Sequence, residues 1–307
     1  KKDFGKAINI MEEMLKANPD SLKPYMAAAS IYMAKNDAQS AEKTYKKAIA
    51  VKKDAPEPHI ALASLYLKQG KASDSENEYK KAVELNPNSA ETRIMLANFY
   101  IAAKKLNEAE KTYESIIALK PDNPRSYLML AEFYLSTGKT QDAHNTFKRG
   151  LEKNKDAVML QKRFAELLLD ERKDKEAASY IEAIFKKHPN DPYGFYLRGR
   201  LRLIENKLNE AIEDLKLSIK SEPNHASVHY YLGLAYQASG NLQAAKTELG
   251  ESLKLNPNLD IARLALSTAY FSARDLELAM EEAQKVLKRY PGHPAANLIA
   301  GDVKLQQ

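Results

Sequence analysis

The sequence predicts an all-α protein built as a solenoid of stacked helical hairpins, and three observations carry that prediction. The phrase LNPNSAETRIMLANFY (Leu85 to Tyr100) returns further along as LKPDNPRSYLMLAEFY (Leu119 to Tyr134). Equal steps of that same interval from Pro19 reach Lys53, Pro87, Pro121, Lys155, Pro189, Pro223, Pro257 and Pro291 without an insertion or deletion. Between these anchors, apolar residues recur with a period of 3.6 over two runs of about 14 residues, broken by Gly or a polar residue.

Each element of the repeat has its own warrant. Ten residues after each anchor stands a small residue: Ala29, Ala63, Ala97, Ala131, Ala165, Gly199, Gly233, Ser267 and Gly301. Such a column on the first helix marks a close helix crossing. Three residues on, Tyr32, Tyr66, Tyr100, Tyr134, Leu168, Tyr236 and Tyr270 fill the flanking groove, with Arg202 and Lys304 as exceptions. The helix then breaks at Gly70, Gly138, Gly240 or a polar substitute. The second helix presents its own small column, Ala41, Ser75, Ala109, Ala143, Ala177, Ala211, Ala245 and Ala279. Four residues later come Tyr45, Tyr79, Tyr113, Phe147, Ile181, Leu215, Leu249 and Ala283. A Pro then closes the hairpin. One hairpin cannot bury its own apolar face, so neighbours must stack.

Composition excludes several classes of function. Hydrophobic residues make up 44% and charged residues 29% of the 307, which describes a soluble, foldable chain. There is no Cys, hence no disulfide framework, thiolate zinc site or Cys nucleophile; this fits the cytosol and equally a periplasmic or envelope setting. No apolar run approaches the ~18 residues of a membrane span. No Gly-rich phosphate loop, dinucleotide fingerprint or H-E-x-x-H spacing occurs. No catalytic residue and no cofactor is expected. His225 and His229 share a four-residue spacing but lack a third ligand, so no metal site is expected. The net charge of +6 is spread along stretches such as EKTYKKAI and SENEYKKAVEL, where Lys alternates with Glu. Such mixed-sign helix faces argue against a nucleic-acid track.

In its 34-residue helix–turn–helix period and its small, Tyr, Ala and Pro columns, the chain resembles the tetratricopeptide repeat family. Pentatricopeptide repeats, which read RNA, have a period one residue longer and fit less well. The family's Trp position is taken by Tyr25, His59, Arg93, Tyr127, Gln161, Phe195, His229 and Arg263. The resemblance spans residues 1–307 as a single array. It divides into full units 22–55, 56–89, 90–123, 124–157, 158–191, 192–225, 226–259 and 260–293, with half units at 4–17 and 294–307. It implies a right-handed superhelical α-solenoid with roughly one superhelical turn.

The resemblance also implies a concave groove lined by the second, fifth, ninth and twelfth positions of the first helices, about 140° from the packed face. The fifth position is Met26, Ile60, Ile94, Leu128, Lys162, Tyr196, Tyr230 and Leu264, and the ninth includes Asn98, Glu132, Glu166 and Arg200. An apolar stripe edged by polar groups suits a bound peptide, although the aliphatic members also serve to fill space between neighbouring helices. Tyr193, Tyr196 and Tyr230, with Arg200 and Lys162, form the most anchor-like cluster. The candidate partner-binding set is therefore Met26, Ile60, Ile94, Asn98, Leu128, Glu132, Lys162, Tyr193, Tyr196, Arg200 and Tyr230. The family's carboxylate clamp is absent, because Glu166 and Leu197 stand where it needs Asn. The asparagine ladder of the protein O-glycosyltransferase superhelix is missing too.

Two irregularities complete the reading. Arg198 and Arg202 occupy inward positions, which implies a weakened joint, snorkelling stems or a buried network with Glu166, Asp170 or Asp214. The helix at 4–17 has inward Ala7, Ile8, Met11 and Met14 but no preceding partner, so the natural product is expected to extend before Lys1. The function expected is a non-enzymatic scaffold or adaptor that holds a protein segment in its groove, in the style of bacterial arrays of envelope and secretion assemblies. Three alternatives stay open: the interaction region of a larger enzyme, a module binding further copies of itself, and a single-stranded nucleic-acid binder.

Overall fold

The computed structural model describes residues 4–306, and among them it holds 18 α-helices and no strand. The helices fall into two compact units divided between Asn154 and Lys155. The first unit contains α1 (Phe4–Ala17), α2 (Leu22–Ala34), α3 (Ala38–Val51), α4 (Pro56–Lys68), α5 (Ala72–Leu85), α6 (Ala90–Ala102), α7 (Leu106–Leu119), α8 (Pro124–Ser136) and α9 (Thr140–Lys153). The second contains α10 (Val158–Asp170), α11 (Asp174–Lys187), α12 (Pro192–Ile204), α13 (Leu208–Ser221), α14 (Ala226–Ala238), α15 (Leu242–Leu255), α16 (Asp260–Ser272), α17 (Leu276–Arg289) and α18 (Pro294–Gln306). Even-numbered first helices pack most closely on the odd-numbered helices that follow them, giving an all-α repeat solenoid.

Within each hairpin the small columns face one another. Ala29, Ala63, Ala97, Ala131 and Ala165 are fully buried, as are Ala41, Ser75, Ala109, Ala143, Ala177, Ala211, Ala245 and Ala279. The Ser75 hydroxyl donates to the Ala63 carbonyl at 2.8 Å, and the Ser267 hydroxyl to the Ala279 carbonyl at 2.6 Å. At Gly199 an added Cβ would lie 2.7 Å from Leu215 Cγ, and at Gly233 only 2.6 Å from Leu249 Cγ. Glycine therefore stands where the second helix brings a Leu to the crossing.

The turn between paired helices is a repeated left-handed cap. Gly70, Gly138 and Gly240 have φ of 73°, 75° and 81°, and the polar substitutes Asn36, Lys104, Arg172, Asn206 and Arg274 lie between 57° and 64°. Around Asn36 the amide of Asp37 donates to Tyr32 O at 2.9 Å and that of Asn36 to Met33 O at 3.0 Å. These bonds satisfy the last carbonyls of α2 in a Schellman arrangement. Prolines open α4, α8, α12 and α18, where the missing N–H costs nothing. In α1, Ala7, Ile8 and Met11 are half-buried, whereas Met14 is exposed. Met14 was expected to face inward; it is exposed, although α1 packs on α2. The helix expected before Lys1 lies outside the described residues.

Chemistry at the degenerate Trp position is more uniform than its residues suggest. Tyr127 Oη donates to Pro121 O at 2.8 Å, Gln161 Nε2 to Lys155 O at 2.7 Å and Arg263 Nη2 to Pro257 O at 2.8 Å. Arg93 reaches Pro87 O and His229 Nε2 reaches Pro223 O in the same way. Each caps a carbonyl in the loop before its own helix. Residues at this position also meet a carboxylate on the second helix of the same hairpin: His59, which is not among the loop caps, with Glu78, and His229 and Arg263 with Glu248 and Glu282, at 2.6 to 2.7 Å.

His229 makes this contact measurable through pH. The Glu248 carboxylate, aided by the Pro223 carbonyl, holds its pKa above the ordinary imidazole value although burial opposes the charge. A raised folded-state pKa means the contact stabilises the fold fully below the unfolded value of about 6.5 and fades as pH rises through the folded value. The gap in urea midpoint between the parent and His229→Gln is therefore expected to be wider at about pH 5.5 than at about pH 8.5. Equal gaps at both pH values would show that the ring carries no extra proton in the fold.

Candidate functional site

In the first unit the groove positions project from α2, α4, α6 and α8. Met26, Ile60, Ile94 and Leu128 are half-buried, one turn before the fully buried alanines of the crossing. Met26 packs against the cluster of Ala29, Ala41, Leu62 and Tyr66. Asn98 is exposed and accepts a long hydrogen bond from Tyr113 Oη at 3.5 Å; Glu132 is half-buried. Met95 and Leu67, on α6 and α4, add exposed apolar surface.

In the second unit the structure gathers Lys162, Tyr193, Tyr196, Arg200 and Tyr230 into one network across α10, α12 and α14. Lys162 Nζ pairs with Asp191 at 2.6 Å and lies 5.8 Å from the Tyr193 ring centre. Tyr193 meets Tyr196 edge-on at 5.2 Å, Tyr196 meets Tyr231 at 5.8 Å, and Tyr231 meets Tyr230 at 4.9 Å. The Arg200 guanidinium lies 4.6 Å from the Tyr231 centroid and 5.4 Å from that of Tyr196. Its Nη2 pairs with Asp170 at 2.5 Å, and its Nη1 donates to Tyr196 Oη at 3.3 Å and lies 3.8 Å from Glu166.

This network corrects the expectation that Tyr196 and Arg200 offer free groove surface. Tyr196 is 3% exposed and Arg200 4%. Their long side chains fold onto the neighbouring first helices, whose backbones stand close enough to be bridged. Burial pushes the Tyr196 phenol well above its ordinary pKa, so it stays a neutral hydroxyl. Tyr193, Tyr230 and Lys162 keep partial exposure.

The two inward arginines resolve differently from Arg200. Arg198 grips Asp214 with Nε and Nη2 at 2.8 and 2.7 Å, and Arg202 Nη1 reaches the same carboxylate at 2.7 Å. Arg198 also stacks 4.1 Å from the Phe185 centroid. The buried network is thus built on Asp214, while Glu166 and Asp170, the other carboxylates expected there, serve Arg200.

Sequence reasoning missed Tyr231 and His225 as members of the cluster; the His225 ring lies 5.4 Å from that of Tyr196. It placed Glu166 and Arg200, of opposite charge, at the ninth position of successive first helices but did not pair them. That one-period spacing was the available signal. A ladder in the first unit escaped notice too. Glu42, Glu76 and Glu110 on second helices meet Lys71, Lys105 and Lys139 of the following repeat. Tyr66 and Tyr100 donate to the first two of these carboxylates. Among the described residues no group of three or more His, Cys, Asp or Glu could hold a metal ion, and no helix is long and apolar enough to cross a membrane.

The profile of the tetratricopeptide repeat matches residues 1–65, 66–132 and 108–163, more than half of the chain. Related profiles, a TPR repeat and a second tetratricopeptide repeat, match 199–240 and 230–294. The chain belongs to the tetratricopeptide repeat family. No curated protein matches it in sequence. Among solved structures it is similar to the APC/C hetero-tetramer Cut9–Hcn1, with a TM-score of 0.65 and 14% identity over 95% of this chain and 58% of that one. It thus spans little more than half of that relative. PilW, a type IV pilus biogenesis factor, superposes with a TM-score of 0.58 at 16% identity, covering 68% of this chain and 97% of PilW. IFIT1, solved with Gppp-AAAA, gives 0.54 at 17% identity over 93% of this chain and 73% of that one. At these identities the likeness is one of fold.

The burial of Tyr196 is open to a direct test. Tyr196→Ala is expected to cost about 3 kcal/mol, as for truncation of a buried aromatic, read from urea denaturation followed by circular dichroism. A change within about 0.5 kcal/mol, the range of an exposed site, would return Tyr196 to the free surface.

Proposed function

We propose that the chain is a non-enzymatic adaptor whose first-helix face holds a segment of a partner protein. Tetratricopeptide repeats generally mediate protein–protein interaction. The observation that carries the reading for this chain is the aliphatic series Met26, Ile60, Ile94 and Leu128. One member recurs per repeat and stays half-buried, three residues before alanines that packing covers completely. Side chains needed only to fill the hairpin would be covered in the same way. A regular apolar strip with Asn98 and Glu132 beside it offers a partner apolar contact at each repeat and polar groups to fix its register.

The setting of an envelope or secretion assembly agrees with the fold shared with PilW, and self-association through the same face is the second partner class. IFIT1, solved with a capped oligonucleotide, brings nucleic acid into the comparison. On this chain several second-helix lysines are tied into ion pairs, as Lys46 with Glu42 and Lys80 with Glu76, each at 2.7 Å. Paired lysines leave little net positive potential for a phosphate backbone.

The experiment is a pull-down from native lysate with the array as bait, followed by titration of the retained protein. Ile60→Ser with Ile94→Ser is expected to weaken binding by about 2 kcal/mol or more with helix content unchanged, while Lys46→Ala and Lys80→Ala have little effect. Binding undiminished by the double Ile variant, or dependent on the lysines and collapsing with salt, would contradict the reading.

A further inference from the structure

A cavity of about 410 Å³ opens beside the Arg200 network, within the second unit and between α10, α12 and α14. Its apolar wall is formed by Leu169, Leu203, Ile204 and Leu234. Its charged groups are Asp170, Arg172 and Arg200. That volume falls within the roughly 300–1,000 Å³ of ordinary ligand pockets.

Resting on the adaptor reading above, we propose that this cavity receives from a partner polypeptide an aliphatic side chain together with the carboxylate of an adjacent acidic residue. That carboxylate replaces Asp170 on Arg200. The charges select an anion. The neighbouring cations are already matched: Lys162 with Asp191, Arg163 with Glu166 and Lys173 with Glu171. Among the described residues, Arg172 has no carboxylate within ion-pair distance, so the lining carries one unmatched positive charge. A cationic ligand is excluded from the aromatic faces of Tyr196 and Tyr231, because Arg200 already lies over both.

Arg200 itself is held for recognition. Its side chain is 5% exposed, its Nε has no hydrogen-bond partner, and the Tyr196 hydroxyl and the two rings fix its plane. Asp170, by contrast, is 55% exposed on the other side of the pair. An arriving carboxylate can take its place on Arg200 while Asp170 returns to water, so the buried guanidinium stays paired throughout. The four aliphatic walls favour a branched apolar side chain next to that carboxylate. Tyr231, the aromatic residue of the lining, already carries Arg200 over its ring, which places a stacking nucleobase and its phosphate second.

The test is fluorescence anisotropy on the full chain with three labelled hexapeptides, Gly-Ser-Leu-Asp-Ser-Gly and its Leu-Asn and Ala-Asp counterparts, beside a labelled single-stranded oligonucleotide. The Leu-Asp peptide is expected to bind about tenfold more tightly than either counterpart. Asp170→Asn should tighten it about threefold by removing the competing carboxylate, and Arg172→Gln should weaken it by a similar factor. Asp170→Asn alters the partner of Arg200 but keeps its shape and an acceptor oxygen, and Arg172 is exposed outside the buried cluster, so both variants should fold. Equal or absent binding of the three peptides, a Leu-Asp preference untouched by either variant, or tighter oligonucleotide binding that Arg172→Gln abolishes would each overturn the assignment. If the cavity fails while a retained partner is still lost on changing Ile60 and Ile94, the adaptor reading stands alone. If that partner survives the Ile changes, the adaptor reading fails by itself.

Discussion

The close crossing of two small-residue columns in every hairpin is the constraint on which the rest of this structure depends. Where Ala63 meets Ser75, the two helices approach until a hydroxyl bonds the opposite backbone. That approach fixes where the next residues on each helix can go. Tyr, Phe, Ile or Leu one turn along the second helix must lie beside the crossing, and where that residue is Leu215 or Leu249 the first helix yields to Gly. Because the crossing consumes one face of the first helix, the opposite face is left for neighbours and partners. The strip of Met26, Ile60, Ile94 and Leu128 follows from this geometry.

Between repeats, apolar clusters such as Ala29, Ala41 and Tyr45 with Leu62, Leu65 and Tyr66 are accompanied by polar chemistry placed with the same period. At His229 and Arg263 the fourth residue of the first helix both ties down the preceding loop and reaches a carboxylate on its own second helix. In the first unit, Glu76 bridges to Tyr100 and Lys105 of the following repeat. Individually such contacts contribute little at an exposed surface. Recurring hairpin after hairpin, they fix the register of the stack. Asp214, closed in by Arg198 and Arg202, does the same inside a joint where apolar residues are replaced.

What was legible in the sequence was whatever size alone dictates. Ala at 41, 109 and 143, Gly at 199 and 233 and the turn positions after each first helix all announce themselves, because few residues fit those places. The Trp position was opaque for the opposite reason: its requirement is a donor within reach of one carbonyl, which Tyr127, Gln161, His229 and Arg263 meet equally well. The cluster at Tyr196 was half legible. Helical spacing put Tyr193, Tyr196 and Arg200 on one face, but their burial depends on Tyr231 and Asp170, contributed by α14 and α10. Spacing within one helix carries no record of how far a long side chain reaches across to the next.

In the proposed function a partner binds on the first-helix face, with the second helices serving as the packed support. Hydrogen–deuterium exchange of the array with and without its retained partner tests this most directly, since a bound segment slows exchange where it lies. Protection concentrated in the first helices α4, α6, α12 and α14, with second helices such as α5 and α7 unchanged, is the predicted result. Protection confined to the outer faces of second helices would contradict it.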